Sequence, residues 1–177
     1  MRKGRGASDG SYDEGYRCDS GAVDAGVASA VRDLDGVLDH LVQQPFVDPD
    51  RLLMAGQSRG GYLSVVYAAR GRHRDRIRGV INFAGGWMGE RCGTDLNSPG
   101  YAEAGRRSRP PMLWLYGEGD SYYSPDAIRG YFASFERAGG DGRLSLADGV
   151  PGNGHRLLDF LSMWKPEADR FLESLGF

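Results

Sequence analysis

The sequence predicts an α/β fold, a mostly parallel sheet with helices on both faces. Two observations predict it. Short apolar runs bounded by Gly, Pro and Asp alternate with longer stretches whose apolar residues recur at helical spacing, the order that gives parallel strands. One run, Leu52-Leu53-Met54-Ala55, then passes into a helical segment through the tight turn Gly56-Gln57-Ser58-Arg59-Gly60.

The elements follow in order. Residues 1 to about 21 read as loop. A helix spans about 22 to 44, carried by Val27, Ala30, Val31, Leu34, Val37, Leu38, Leu41 and Val42. Residues 51 to 56 form a strand and 59 to 70 the helix after the turn. Residues 77 to 84 form the next strand, and a long loop covers 85 to 109. Pro110-Pro111 opens a strand over 111 to 116, apolar throughout and so buried on both faces. Ser124-Pro125-Asp126 starts a helix over 125 to 138, with proline at its first position. Residues 143 to 147 form the last strand, and a final helix covers about 165 to 175. Ligands bind such sheets beyond the carboxyl ends of the strands.

The turn at Ser58 has the context of a nucleophile elbow, a sharp strand-to-helix turn that lifts a serine hydroxyl clear of the sheet. Small residues are needed two places to either side, and Gly56 and Gly60 supply them, with Gly61 next in line. The Arg59 N–H points to where an oxyanion would form. Of the three histidines, His40 sits on the polar face of the first helix and His73 in the basic connection Arg70-Gly71-Arg72-His73-Arg74. His155, in the glycine-rich turn Gly152-Asn153-Gly154-His155, is left as the base. The orienting acid belongs after the 111 to 116 strand, in Gly117-Glu118-Gly119-Asp120. Asp120, where the chain has cleared the sheet, is preferred, with Glu118 the alternative.

These segments, together with Val47-Asp48-Pro49-Asp50-Arg51 and Ile81-Asn82-Phe83-Ala84-Gly85-Gly86, resemble the α/β-hydrolase superfamily, and within it the dienelactone-hydrolase-like enzymes. The resemblance covers most of the chain and implies Ser58 as nucleophile, His155 as general base and Asp120 as orienting carboxylate. Such enzymes have eight strands, with the nucleophile after the fifth. Here the elbow strand is the first convincing one, so residues 1–177 read as one partial domain, its C-terminal part, truncated at the N-terminus. Met1 to Tyr16 resembles the loop after the fourth strand of relatives. An elbow strand without its outer neighbour is an edge through which two chains could associate.

The implied chemistry is hydrolysis of an ester, lactone or thioester through an acyl-enzyme, with no metal or organic cofactor. A serine peptidase is an alternative of the same fold. A non-catalytic remnant or binding module that keeps the elbow but lacks part of the oxyanion hole is the alternative outside enzymes. Trp87, Met88, Tyr122 and Tyr123 lie on the active edge and either line a substrate pocket or pack beneath the long loop.

The chain has 177 residues, 40% of them hydrophobic, enough for one soluble domain. A net charge of −2 and pI near 5.9 give no reason to expect nucleic acid. The arginines at 70, 72, 74, 76 and 78 read as a solvated connection. No apolar run is long enough to span a bilayer. Cys18 and Cys92 lack metal-ligand spacing and fall in loops on the active side, where they pair in an oxidising compartment and stay free in a cytosol.

Overall fold

The computed structural model describes residues 17–177 and Asp9. The expectation for Met1 to Tyr16 therefore lies, Asp9 apart, outside the described residues.

Helix α1 (Ser20–Leu41) begins two residues earlier than its periodicity suggests, because Asp19 caps it: the carboxylate accepts from the Ala22 N–H at 2.7 Å. Strand β1 (Leu52–Gln57) runs into helix α2 (Arg59–Arg70). Strand β2 is Ile77–Phe83, β3 is Met112–Gly117, helix α4 is Pro125–Arg137, strand β4 is Gly142–Ala147 and helix α5 is Leu161–Ser174. All strand pairs are parallel, in the order β1-β2-β3-β4. β1 thus lies at an edge among the described residues, and its side chains are only half covered where β3 is buried throughout.

Alternation along the strands divides the core. Val80, Met112, Trp114 and Tyr116 point to one face, where α1, α2, α3 (Ser98–Arg107) and α4 pack. Ile81, Phe83, Leu113 and Leu115 point to the other, covered by Leu157 and by Ala168, Phe171 and Leu172 of α5. The described helices thus divide four to one between the faces. None of the described helices is long and apolar enough to cross a membrane.

Three expectations need correction. The segment expected as loop from 85 to 109 contains helix α3 (Ser98–Arg107), whose buried face of Gly100, Tyr101, Ala104 and Gly105 is too small and too poor in aliphatics to show as periodicity. Helix α5 starts at Leu161, with Pro166 inside it. His73 is not solvated: its ring nitrogen meets Asp39 of α1 at 2.7 Å, and its side chain is 15% exposed. The basic run is neutralised locally, with Arg70 on Glu103, Arg72 on Asp39 and Arg76 on Asp50. Asp35, buried in α1, accepts from Tyr67 Oη and the Arg72 N–H, each at 2.8 Å, and so fastens α1 to the end of α2.

Candidate active site

Ser58 holds φ 56° and ψ −121°, a conformation non-glycine residues adopt only where the surroundings enforce it. The enforcement is visible. The Ser58 N–H donates to Phe83 O at 2.9 Å, and Ser58 O accepts from the N–H groups of Tyr62 and Gly86 at 3.0 and 3.2 Å. A Cβ at Gly56 would run into the Gly60 backbone, and one at Gly61 would meet Asn82 Oδ1 and stand 3.0 Å from Gly56 O and from Gly85 Cα. A Cβ at Gly60 would meet nothing within 4 Å. The second small residue the elbow requires is therefore Gly61, not Gly60.

Arg59 opens α2, so its N–H stands at the positive end of the helix beside Ser58. Its side chain donates to Trp87 O at 3.0 Å and lies over the Trp87 ring, 4.6 Å from the centroid.

After β3 the chain turns through Gly119, at φ +71°, and presents Asp120. The Asp120 carboxylate is fully buried and both its oxygens are used: Oδ1 accepts from the N–H groups of Tyr122 and Tyr123 at 2.8 and 3.3 Å, and Oδ2 lies 2.8 Å from His155 Nδ1. Glu118 is exposed on the other side of that turn.

The His155 turn is locked to the acid turn. Asn153 Oδ1 accepts from the N–H groups of His155 and Ser121 at 3.0 and 3.1 Å, while its Nδ2 donates to Ser121 Oγ at 2.9 Å. A Cβ at Gly154 would collide with the carbonyl oxygens of Gly117 and Glu118 and stand 2.7 Å from Asp120 N, so the two turns touch backbone to backbone. Gln57, beside Ser58, donates from Nε2 to His155 O at 2.9 Å. All three turns are joined by hydrogen bonds independent of the His155–Asp120 contact.

Ser58, Arg59, Trp87, Met88, Tyr122, Tyr123 and His155 line one cleft of about 300 Å³, together with Gly86, Gly89 and Arg91. Trp87, Met88 and Tyr123 are each 3% exposed and belong to the core as well as to the cleft wall; Tyr122 is 50% exposed and its ring lies 4.6 Å from that of His155. Burial pushes the Tyr123 phenol far above its usual range, so it stays protonated. The Trp87-Met88 wall is held by Asn97, which accepts from both their N–H groups and donates to Met88 O at 2.7 Å. The loop beyond it is tied down twice, by a disulfide between Cys18 and Cys92 and by Ser124, which donates to Glu90 at 2.9 Å through its hydroxyl.

Gln57, Asn97, Asn153 and Arg91 escaped the sequence reading. Only Asn153 carried a signal, its place in Gly152-Asn153-Gly154-His155.

The Prolyl oligopeptidase family matches residues 19–86, the stretch from α1 through the elbow to the end of β2, which contains Ser58 but neither Asp120 nor His155. No curated protein matches the chain. Several solved structures do. Thermogutta terrifontis esterase 2, in a form phosphoramylated by tabun, is 22% identical with a TM-score of 0.62 over 85% of this chain and 66% of its own. A protein from Klebsiella pneumoniae named as a dienelactone hydrolase is 21% identical with a TM-score of 0.56 over 78% of this chain and 61% of its own. A Pyrococcus furiosus esterase is 13% identical with a TM-score of 0.62, over 83% and 62% respectively. The chain thus spans somewhat less than two thirds of the length of these structures. The parallel four-stranded sheet, the strained serine at its strand-to-helix turn and these structural likenesses show that the chain has the α/β fold of these hydrolase structures.

Proposed function

We propose that this chain is a serine hydrolase that cleaves an ester, lactone or thioester through an acyl-enzyme. One observation carries the reading: a buried carboxylate, Asp120, lies 2.8 Å from Nδ1 of His155, in the cleft that Ser58 also lines. A carboxylate there accepts the Nδ1 proton and leaves Nε2 as the basic nitrogen. His155 takes the Ser58 proton as the hydroxyl oxygen attacks the substrate carbonyl, and the Arg59 N–H stabilises the oxyanion that forms. Collapse expels the alcohol, which receives its proton from His155. Water, deprotonated by the same histidine, then releases the acid and restores the serine. None of these steps calls for a metal or organic cofactor.

The test is hydrolysis of p-nitrophenyl acetate by the purified protein. Ser58→Ala and His155→Ala should each lose about 10⁶ of the turnover of a triad acting as a unit, whereas His40→Ala and His73→Ala should leave it nearly unchanged. Equal losses from all three histidine variants would overturn the assignment.

The match to the Prolyl oligopeptidase family favours a second reading, a serine peptidase with the same three residues. Faster cleavage of a proline p-nitroanilide than of matched esters would select it. The outer edge of β1 is our candidate for self-association. A concentration-dependent mass in light scattering, abolished by Ala55→Lys at its exposed position, is expected; a monomer at every concentration would dismiss it.

A further inference from the structure

Among the described residues the Tyr123 hydroxyl has no hydrogen-bond partner, although its residue is 3% exposed and lines the cleft with Ser58. Tyr62, equally buried, also has no partner for its hydroxyl among the described residues but does not line this cleft, and three other buried tyrosines are paired. Tyr67 donates to Asp35 at 2.8 Å and Tyr116 to Gly85 O at 2.6 Å, with Tyr101 3.5 Å from the latter's oxygen. The hydroxyl oxygen is not among the fully buried side-chain atoms left without a partner, so it touches the solvent of the cleft, and room is kept for it: a Cβ at Gly86 would collide with the hydroxyl and ring of Tyr123. The Gly86 N–H itself donates to Ser58 O at 3.2 Å, so the phenol oxygen lies against the floor of the elbow.

The cleft is asymmetric. Tyr122, half exposed, flanks His155 on the open side, where an alcohol protonated by His155 can leave. Trp87, Met88 and Tyr123 form the buried part of the wall, with the Tyr123 ring 5.9 Å from that of His155, and we assign the acyl group, which stays through both half-reactions, to that wall. Resting on the hydrolase reading above, we propose that Tyr123 is a specificity-determining residue whose hydroxyl donates to an oxygen on the acyl chain, so that the substrates are esters with an ether, keto or hydroxyl oxygen near the reacting carbonyl. A phenol held protonated by burial is a donor at every working pH. An acyl chain with a methylene at that point leaves the hydroxyl unpaired and is penalised on reaching the transition state.

The experiment compares p-nitrophenyl esters in which an ether oxygen replaces a methylene, methoxyacetyl against butyryl and β-methoxypropionyl against valeryl. Each kcat/KM is divided by the ester's rate with hydroxide to remove its intrinsic reactivity. The wild type should favour at least one ether ester by roughly 10- to 100-fold, the range set by an unpaired buried donor. Tyr123→Phe should bring the ratio near one, chiefly by slowing the ether ester. Gly86→Ala, which displaces the hydroxyl without removing it, should lower the same ratio. No preference in the wild type, or a preference that survives in Tyr123→Phe, overturns the inference while the hydrolase reading stands. Turnover of every ester unaffected by Ser58→Ala would instead overturn the hydrolase reading, and the inference with it.

Discussion

Replacing Gly61 with alanine puts a methyl group where Asn82 Oδ1 already stands, 3.0 Å from Gly56 O and from Gly85 Cα. None of these neighbours can yield easily. Asn82 is fully buried, and Gly56 and Gly85 contribute backbone. Ordinary contact begins at 3.4 Å, so the elbow must open by roughly 0.4 Å or more against its own hydrogen bonds. Overpacking of this kind costs about 1–3 kcal/mol, and at this chain length each kcal/mol lowers Tm by about 2–4 °C. The same opening displaces Ser58 relative to His155, a shift that costs roughly 10² in turnover as it approaches 1 Å. Gly60→Ala is the control, because its Cβ meets nothing within 4 Å and the position lies in the first turn of α2. Alanine should leave turnover within about threefold and hold or slightly raise Tm. Thermal melts and p-nitrophenyl acetate turnover of the two variants decide the matter. Equal damage from both, or a harmless Gly61→Ala with a crippling Gly60→Ala, would refute the reasoning.

The remaining predictions concern the acid, the disulfide and pH. Asp120→Asn should cost about 10⁴ in kcat by favouring the wrong tautomer of His155, while Glu118→Gln should change little; the reverse order would move the acid by two residues. The Cys18–Cys92 bond closes a sequence separation of 74 residues, so reduction or Cys92→Ser should lower stability by about 4 kcal/mol in denaturant melts, and an unchanged midpoint would contradict this. Burial raises Glu103, but its hydrogen bond and charge contact with Arg70, joined by Arg107, win and hold it below its usual range. A depressed carboxylate contributes stability that is present above its unfolded value, near 4.3, and lost as pH falls through the folded one. Glu103→Gln should therefore flatten the loss of stability below about pH 4; an acid limb identical to wild type would count against it.

What could be read in advance was what has a local signature. β1, α2, β2, β3 and α4 announced themselves by apolar runs or helical spacing, and Ser58, Asp120 and His155 by small residues at fixed offsets in the turns that follow strands. Helix α3 did not, because its buried face is made largely of Gly100, Ala104 and Gly105, which carry little hydrophobic signal. The bonds that join distant segments, within the site and outside it, were invisible for a different reason. Gln57 reaches His155 O across 98 positions of chain, and Tyr67 reaches Asp35 across 32, pairings that exist only once the sheet has assembled. His73 misled in the same way: an apparently solvated loop residue is held by Asp39 from a helix far earlier in the sequence.

Covalent trapping tests the central claim most directly. A serine activated as proposed for Ser58 should react with an organophosphorus reagent. The protein treated with a fluorophosphonate, digested and mapped by mass spectrometry, should carry one adduct, on Ser58, whose formation His155→Ala slows by several orders of magnitude. An adduct on another residue, or labelling of Ser58 at the same rate with and without His155, would contradict the account.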